Sequence, residues 1–197
     1  MNGFIMHVGH RNCIDIDFTM KRRRSFDEVV AKLPDGPERD FFGNDNHLHS
    51  AFPDGTFHCW GIPSRALPAF NETAVGDAVL FAPWIGVHQG GIYYVGIIKA
   101  ICELECWQAS RILWPSTPDD RPFPYIFFFD TEVGYLDWYR FLDDMGYSHR
   151  WNPHGWYRRI DSSRFASYGG VRGYVEYLRK DVGFLPTCRE APSPCAS

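Results

Sequence analysis

The hydrophobic and polar positions along the chain form several short segments that are apolar throughout or alternate in the manner of strands. At 13–18, Ile14, Ile16 and Phe18 alternate with aspartates, which predicts a half-buried strand. Further strands are predicted at 3–8, 57–61, 78–82, 92–101 and 156–160. The nearly continuous apolar run at 125–129 predicts a strand buried on both faces. Little helix separates the central strands, so we expect a curved, barrel-like mixed or antiparallel sheet.

Helical spacing occurs in fewer places. Ser25-Phe26-Asp27-Glu28 has the form of a capping box and begins a short helix that Pro34 would stop. A second helix is predicted by apolar residues at i, i+3, i+4 and i+7, namely Tyr135, Trp138, Tyr139 and Leu142. The last helix is predicted from about 171 to 180. The polar, turn-rich segment 40–55 predicts a loop, and the proline breaks after 186 predict a disordered tail.

The composition is that of a soluble globular protein with many aromatic rings. The chain has 197 residues, of which 45% are hydrophobic and 17% aromatic. A chain of this length buries enough surface to form a core without disulfides or a structural metal. No apolar stretch is long enough to span a membrane and no signal peptide is recognisable, so we expect a cytoplasmic protein whose six cysteines are reduced thiols.

The net charge of -4 is unevenly distributed along the chain. Residues 1–24 carry five basic and two acidic side chains, whereas residues 25–146 carry seven basic and eighteen acidic ones. Residues 147–180 are basic again, with seven basic against two acidic side chains. A basic region on an acidic protein fits a polyanion held at one surface. It fits equally well a C-terminal helix whose basic side chains are simply solvated.

Metal-binding patterns are weak. Cys102 and Cys106 form a single close pair, and the histidines at 47, 49 and 58 lack a partner pair at zinc-site spacing. We therefore predict no metal site and no cofactor, and interpret these side chains as a half-buried thiol pair and loop histidines.

Catalytic signatures are equally scarce, because the chain has no Gly-x-Ser-x-Gly elbow, no His-Glu-x-x-His motif and no phosphate-binding loop with Gly-Lys-Ser/Thr. His7, His10 and Asn12 leave open a nucleic-acid hydrolase with its site in the N-terminal region. The pattern nevertheless favours a binding module over an enzyme.

Aromatic residues concentrate near the central strands, where Trp60, Trp84, Tyr93, Tyr94, Trp107 and Trp114 lie within a short stretch of the chain. Most such rings pack in a core, because each buries a large apolar area. Several tryptophans near loop ends are also what a protein needs to hold a flat ligand. A nucleobase withdrawn from its stack is held in this way, between rings and by hydrogen bonds to its edge.

The order of several motifs resembles the EVE and YTH-like branch of the PUA superfamily, especially the DNA-recognition domains of McrBC-type modification-dependent restriction systems. The resemblance rests on Phe57-His58-Cys59-Trp60-Gly61-Ile62-Pro63, Val75-Gly76-Asp77 with Val79-Leu80-Phe81, Tyr93-Tyr94-Val95-Gly96, Leu113-Trp114 and Pro124-Tyr125-Ile126-Phe127-Phe128. It continues through Met145-Gly146-Tyr147 and Gly155-Trp156-Tyr157-Arg158-Arg159-Ile160, and covers about 56–180, roughly two thirds of the chain.

The resemblance implies an α+β fold, with a PUA-like curved β pseudo-barrel and flanking helices. It places an N-terminal extension at 1–55, a modified-base-binding domain at 56–185 and the tail at 186–197. In this family an aromatic pocket receives a modified base flipped out of DNA, or a methyladenosine of RNA in the YTH relatives. The long N-terminal extension departs from the simplest members of the family.

Carried over residue by residue, the resemblance makes Trp60 one wall of the pocket and Trp114, or Trp107, the opposite wall. Trp84 and Tyr94 are weaker candidates, and backbone groups of Gly61 and Ile62 would read the base edge. The residues expected to contact phosphates are Arg150, Arg158, Arg159, Arg22 and Arg23.

The function expected from these features is that of a reader of modified nucleobases, in double-stranded DNA, with RNA as the alternative nucleic acid. It would work by base flipping without covalent chemistry, as the specificity module of a restriction or defence system with a nuclease or AAA+ partner subunit. The acidic centre favours a narrow DNA footprint. Two alternatives stay open, namely the N-terminal hydrolase and a small-molecule or nucleotide sensor that uses the same pocket.

Overall fold

The chain folds into two compact units. The computed structural model describes residues 1–9, 13–83, 90–116, 122–153 and 157–187. The first unit comprises Met1–Cys13, Gly76–Ile97 and Thr131–Ser197, and the second comprises Ile14–Val75 and Ile98–Asp130. The proposed boundary between residues 55 and 56 stays a prediction.

Eight strands form a mixed sheet, and short helices flank it. The strands are β1 Gly3–Val8, β2 Arg24–Ser25, β3 Thr56–Ile62, β4 Ala78–Pro83, β5 Gly91–Ile101, β6 Tyr125–Asp137, β7 Tyr157–Ile160 and β8 Leu185–Pro186. The α-helices are α1 Cys13–Thr19, α2 Phe26–Val30, α3 Pro37–Asn44, α4 Asn46–Ala51, α5 Leu67–Asn71, α6 Trp107–Leu113, α7 Trp138–Asp144 and α8 Val171–Tyr177. The predicted α+β class is therefore confirmed.

Three shorter helical segments complete the described structure. Ser64–Ala66 and Ser162–Tyr168 are 3-10 helices, and a π-helical turn at Leu178–Val182 follows α8. The last predicted helix thus extends slightly further than the sequence indicates.

In the first unit, β1 lies between β4 and β7. It pairs in parallel with β4 and antiparallel with β7, while β4 pairs antiparallel with β5 and β8 pairs antiparallel with β6. Apolar side chains of this part of the sheet, such as Ile5 and Leu80, pack against α7 and α8 through Phe141, Leu142 and Tyr174. The register of β1 against β4 places His7 beside Ala82, at the end of both strands.

The second unit is held by phenylalanines. β2 pairs with β3, and β3 pairs antiparallel with the first part of β6. Five ring contacts within 6.4 Å between centroids join Phe26, Phe52, Phe57 and Phe128, and Phe42 of α3 packs on the same group. Burying several rings together stabilises a core strongly. This cluster explains how short helices without strong periodicity are held in place.

Three predictions of local structure are wrong. Segment 13–18 is helical because Ile16, Thr19 and Met20, which lie at i, i+3 and i+4, are the buried side chains. The polar segment 40–55 contains helices because Phe42 and Leu48 anchor α3 and α4 in the core. Tyr135 belongs to the end of β6 and not to the following helix, which begins only at Trp138.

Gly91 provides a test of how closely β5 and β6 approach each other in the first unit. A Cβ at this position would lie 2.6 Å from the carbonyl oxygen of Leu136 and 2.7 Å from Cε2 of Tyr135. We expect Gly91→Ala to lower the free energy of unfolding by about 1–3 kcal/mol, the range typical of overpacking. Urea denaturation measures this loss.

Gly90→Ala is the matched control. Among the described residues, the atoms nearest to its added Cβ belong to Trp138, at 3.8 Å and beyond, which is ordinary contact. We expect a change within about 0.5 kcal/mol. Equal losses for the two variants would contradict the close approach at Gly91.

Candidate functional site

The predicted pocket walls Trp60 and Trp114 are core residues of the second unit. Their rings meet at 6.2 Å between centroids and 70° between planes, and the two residues are 2% and 1% exposed. Nε1 of Trp114 donates a hydrogen bond to Oγ1 of Thr19 at 3.1 Å. The structure brings these two residues together, as the sequence predicts, but the expectation that they line a solvent-open cavity is wrong.

Other residues assigned to this pocket are buried as well. Gly61 and Ile62 lie in the β3–β6 ladder, and a Cβ on Gly61 would be only 2.8 Å from Cη2 of Trp114. Tyr94 is buried on β5, in register with Phe81. These residues fill the interior because apolar strand positions face inward, so none of them reaches a ligand.

The two remaining tryptophan candidates differ from these. Trp107 is 39% exposed at the start of α6, where its Nε1 donates to Oε2 of Glu105 at 3.1 Å. No second ring faces it among the residues that the structure describes, so it forms no cage with them. Trp84 lies outside the described residues.

A cavity of about 220 Å³ opens instead in the first unit, and aromatic rings line it. It is formed by the ends of β1 and β4, the two glycines at the start of β5, the start of α7 and the segment after α7. The lining residues are His7, Ala82–Pro83, Gly90–Gly91, Asp137–Tyr139 and His149–Pro153. All of them belong to the first unit. We call this cavity the α7 pocket.

Both ends of α7 are capped, and the caps fix the rings of the pocket. Oδ1 of Asp137 accepts hydrogen bonds from the backbone N–H groups of Tyr139 and Arg140, at 2.9 and 3.2 Å. At the other end Gly146 is left-handed, with φ of 62°. Its N–H donates to Asp143, and the N–H of Tyr147 donates to Leu142, which is a Schellman motif. The chain therefore turns back at Gly146 and brings Tyr147 and Trp151 beside Trp138.

Trp138 and Trp151 form the aromatic part of the α7 pocket. Their ring centroids are 5.9 Å apart with planes 17° from parallel, and Tyr147 stacks on Trp151 at 3.9 Å and 10°. Tyr139 is 42% exposed and packs on the His149 ring at 5.0 Å. Nε2 of His149 lies 2.7 Å from Oδ1 of Asp143. Two half-buried, nearly parallel indoles thus border an open cavity.

The polar groups of the pocket come from several elements. His7 of β1 is half-buried, and burial lowers its pKa, so its imidazole is neutral at pH 7. The carbonyl oxygen of Gly90 accepts from the N–H of Trp138 at 3.0 Å, which ties the glycine pair to α7. Asn152 adds an exposed amide. The pocket can therefore present neutral hydrogen-bonding groups as well as rings.

The arginines assigned to phosphates divide into two groups. Arg150 lines the α7 pocket and Arg158 is exposed on β7. Nη2 of Arg159 donates to Oδ1 of Asn2 at 2.7 Å. Arg23 forms an ion pair with Asp54 at 2.8 Å.

Arg22 is exposed, and its neighbour Arg24 pairs with Glu28 at 2.9 Å. Arg23 and Arg24 are therefore paired with carboxylates, whereas Arg150 and Arg158 are exposed in the unit that contains the α7 pocket.

The described residues carry neither a metal-binding cluster nor a membrane-spanning helix. They contain no group of three or more His, Cys, Asp or Glu side chains that could hold a metal ion. Cys59, Cys102 and Cys106 are buried free thiols, and the Cys102 sulfur and burial raise the pKa of Cys106. No helix in the described part of the chain is long and apolar enough to cross a membrane.

Sequence reasoning missed the rings of the α7 pocket. The sequence pattern puts Trp138 on the buried face of a helix, and Trp151 in a loop without a role. The available signal was Gly146, which follows a helical pattern and precedes two further aromatic residues, Tyr147 and Trp151. A left-handed glycine at that position turns the chain back on its helix, so later rings meet earlier ones.

The comparison with solved structures identifies the fold. The chain is similar to the N-terminal domain of Thermococcus gammatolerans McrB, which was solved bound to m5C DNA. The match has a TM-score of 0.61 and 16% sequence identity, and it covers 92% of this chain and 99% of that one. No protein-family model matches the chain. No curated protein matches it either.

This likeness shows that the chain has the fold of the McrB domain. At this level of sequence identity the likeness concerns the fold alone.

His58 on β3 gives a titration test of the second unit. Burial, together with the nearby Arg23 guanidinium, lowers its pKa from 6.5 to about 4. The unfolded chain therefore binds more protons than the folded one below pH 6.5, and stability falls as the pH falls toward 4. The slope is about 1.4 kcal/mol per pH unit for one proton.

We expect His58→Gln to flatten this part of the pH dependence of the free energy of unfolding, measured with urea. His47→Gln is the matched control, because it replaces a histidine that is exposed on α4 of the same unit. The same slope in His58→Gln and the parent protein would contradict the assignment.

Proposed function

We propose that this protein reads a modified nucleobase in DNA, and that the α7 pocket receives the base after it has flipped out of the duplex. The observation that carries the proposal is the pair of nearly parallel indoles, Trp138 and Trp151, beside an open cavity. It is supported by the fold, since the McrB domain with this fold was solved bound to m5C DNA. The proposed base-binding site is therefore the α7 pocket of the first unit and not the Trp60 and Trp114 pair. The closed, barrel-like curvature of the sheet stays a prediction.

The ring geometry suits a planar ligand. A base held between two rings needs about 6.8 Å between them, twice the stacking distance of about 3.4 Å. The centroids of Trp138 and Trp151 are 5.9 Å apart and the two rings stack on each other, so a base enters between them only when one ring is displaced. The volume of about 220 Å³ lies below the range of roughly 300–1,000 Å³ that is typical of drug-sized ligands. One nucleobase is therefore a better candidate than a larger cofactor.

The polar groups suit the edge of a base. A neutral imidazole at His7 can both donate and accept, depending on its tautomer, and the Asn152 amide can do the same. Bases differ in the order of donors and acceptors along their edges, whereas stacking on indole is tolerant of sequence. We assign stacking to Trp138 and Trp151, and recognition of the base to these neutral groups.

The phosphate contacts are assigned to Arg150 and Arg158, with Arg159 and Arg22 as secondary candidates. Arg150 lines the pocket, so it lies where the backbone of a flipped nucleotide would pass. Arg23 is a poorer candidate because it forms an ion pair with Asp54. This small set of cations implies a narrow footprint, and we propose that the chain acts as the specificity module of a restriction or defence system. A nuclease or AAA+ subunit would then supply the cleavage.

Trp151→Ala tests the pocket. Stacking of one base on an aromatic ring contributes about 1–3 kcal/mol, so we expect the preference for modified over plain duplex to fall by about tenfold or more. Competition binding with matched duplexes containing 5-methylcytosine, 5-hydroxymethylcytosine, N6-methyladenine or no modification measures it at one fixed salt concentration. Trp138→Ala should act in the same direction.

Trp107→Ala is the control, because it removes an exposed indole that lies outside the α7 pocket. Discrimination that survives in Trp151→Ala and Trp138→Ala would overturn the assignment of the pocket. Free modified base that binds as tightly as the duplex would favour the small-molecule sensor. Stronger discrimination on single-stranded RNA would favour RNA as the ligand.

The salt dependence of binding tests the phosphate contacts. Each phosphate neutralised contributes about 0.9 to the slope of log K against log salt concentration. We therefore expect Arg150→Gln and Arg158→Gln each to reduce the slope by up to that amount, for modified and plain duplex alike. Arg23→Gln should leave the slope unchanged, and a loss equal to that of Arg158→Gln would show that its ion pair with Asp54 opens on DNA.

A further inference from the structure

Arg164 belongs to the basic stretch 147–180, where the sequence suggests DNA contacts, yet its guanidinium turns toward the protein. Its Cζ lies 3.8 Å from the centroid of the Tyr147 ring. Its Nη1 donates to the carbonyl oxygens of Met145 and Gly146, at 2.8 and 2.9 Å. These three contacts direct one face and the Nη1 group of the guanidinium toward the protein.

We propose that Arg164 is a positioning residue that holds the Trp151 wall of the α7 pocket and makes no contact with DNA. This inference rests on the proposed function, because it takes Trp151 as a wall of the site that binds the base. It assigns a role to a residue outside the cavity lining.

First, Arg164 stabilises the turn that follows α7. The Schellman motif satisfies the carbonyls of Leu142 and Asp143, and Arg164 satisfies those of Met145 and Gly146. A cation at a helix C-terminus is also favoured by the helix dipole. Together these contacts fix the direction in which the chain leaves Gly146, and therefore the place of Tyr147.

Second, four planar groups pack in series between Arg164 and the pocket. The guanidinium covers Tyr147, Tyr147 stacks on Trp151 at 3.9 Å and 10°, and Trp151 faces Trp138 at 5.9 Å and 17°. Tyr147 is half-buried, and burial raises the pKa of its hydroxyl, so the ring stays neutral. Moving Tyr147 would therefore move the indole that the base must stack on.

Arginine is suited to this position in a way that lysine is not. A guanidinium is planar, so it can stack on a ring while its N–H groups donate within the same plane to two carbonyls. An ammonium group can keep the charge over Tyr147 but cannot stack flat with that fixed geometry. The substitution Arg164→Lys would thus retain the charge and lose the alignment, which separates geometry from electrostatics.

Hydrogen bonds within the 3-10 segment also hold the backbone of Arg164. Its N–H donates to the carbonyl oxygen of Asp161 at 3.0 Å, and Oδ1 of Asp161 caps the same 3-10 segment by accepting from Ser163 at 2.9 Å. The guanidinium is therefore presented from a capped turn and not from a free loop.

Arg164→Lys and Arg164→Ala test the proposal in the full chain. The first readout needs no DNA, since two indoles 5.9 Å apart couple excitonically and the resulting circular dichroism signal depends on their mutual orientation. Trp151→Phe identifies this signal by its loss. We expect both Arg164 variants to lose most of this signal. The T-shaped pair Trp60 and Trp114 lies in the other unit and should contribute equally in all variants.

The second readout is binding. We expect the preference for modified over plain duplex to fall by about 5- to 10-fold in both Arg164 variants, on the scale of one lost hydrogen bond. The slope of log K against log salt concentration should stay as in the parent protein. Arg158→Gln is the matched control, with the opposite pattern of a reduced slope and an unchanged exciton signal.

The outcomes separate this inference from the proposed function. A reduced salt slope with an intact exciton signal in Arg164→Lys would overturn the positioning role and make Arg164 a phosphate contact. An intact signal with unchanged slope and unchanged discrimination would overturn it as well. If the parent protein does not discriminate modified from plain DNA, the proposed function is wrong. Loss of the exciton signal in the Arg164 variants would still support the positioning role. If Arg164→Ala does not fold, Arg164→Lys alone decides.

Discussion

The candidate site depends on how α7 begins and ends. Asp137 caps the first turn, and Gly146 reverses the chain after the last one, in a left-handed conformation that other residues adopt at a cost. Because both ends are fixed, Trp138 at the start of the helix and Trp151 after its end stand nearly parallel. The two ends of this one short helix therefore set the spacing of the rings, while β1, β4 and β5 complete the pocket.

Charge placement limits the kind of nucleic-acid contact this chain can make. Several cations are already paired with carboxylates, such as Arg23 with Asp54 and Arg179 with Glu132. A paired cation must lose its partner before it can neutralise a phosphate, whereas an exposed cation such as Arg158 avoids this cost. Affinity from backbone contacts is therefore expected to be small, so stacking must supply most of the affinity and the base edge most of the discrimination.

Much of the fold could be predicted from the sequence, because most strands carry strong apolar signals. The apolar run at 125–129 lies in β6, as predicted, and the chain has the fold of the McrB domain. The helix at 13–19 has the sequence pattern of a strand because three apolar residues happen to alternate, while burial follows Ile16, Thr19 and Met20. A local pattern cannot say which of two faces a neighbouring segment will cover.

The site could not be predicted in the same way, and the tryptophans show why. Trp60 and Trp114 occupy motif positions, but sequence order does not tell whether a ring meets solvent or another ring. Openness is decided by what packs on each side, as Thr19 and Phe123 do on Trp114.

The α7 pocket has a further property that no motif encodes, the burial of His7. This burial lowers the pKa of the imidazole and keeps it neutral. A protonated imidazole can only donate hydrogen bonds, whereas a neutral one donates with one nitrogen and accepts with the other, so it can match a particular order of donors and acceptors. Since the indole walls accept any base, selectivity must arise at this polar edge and from the space that an added methyl group fills.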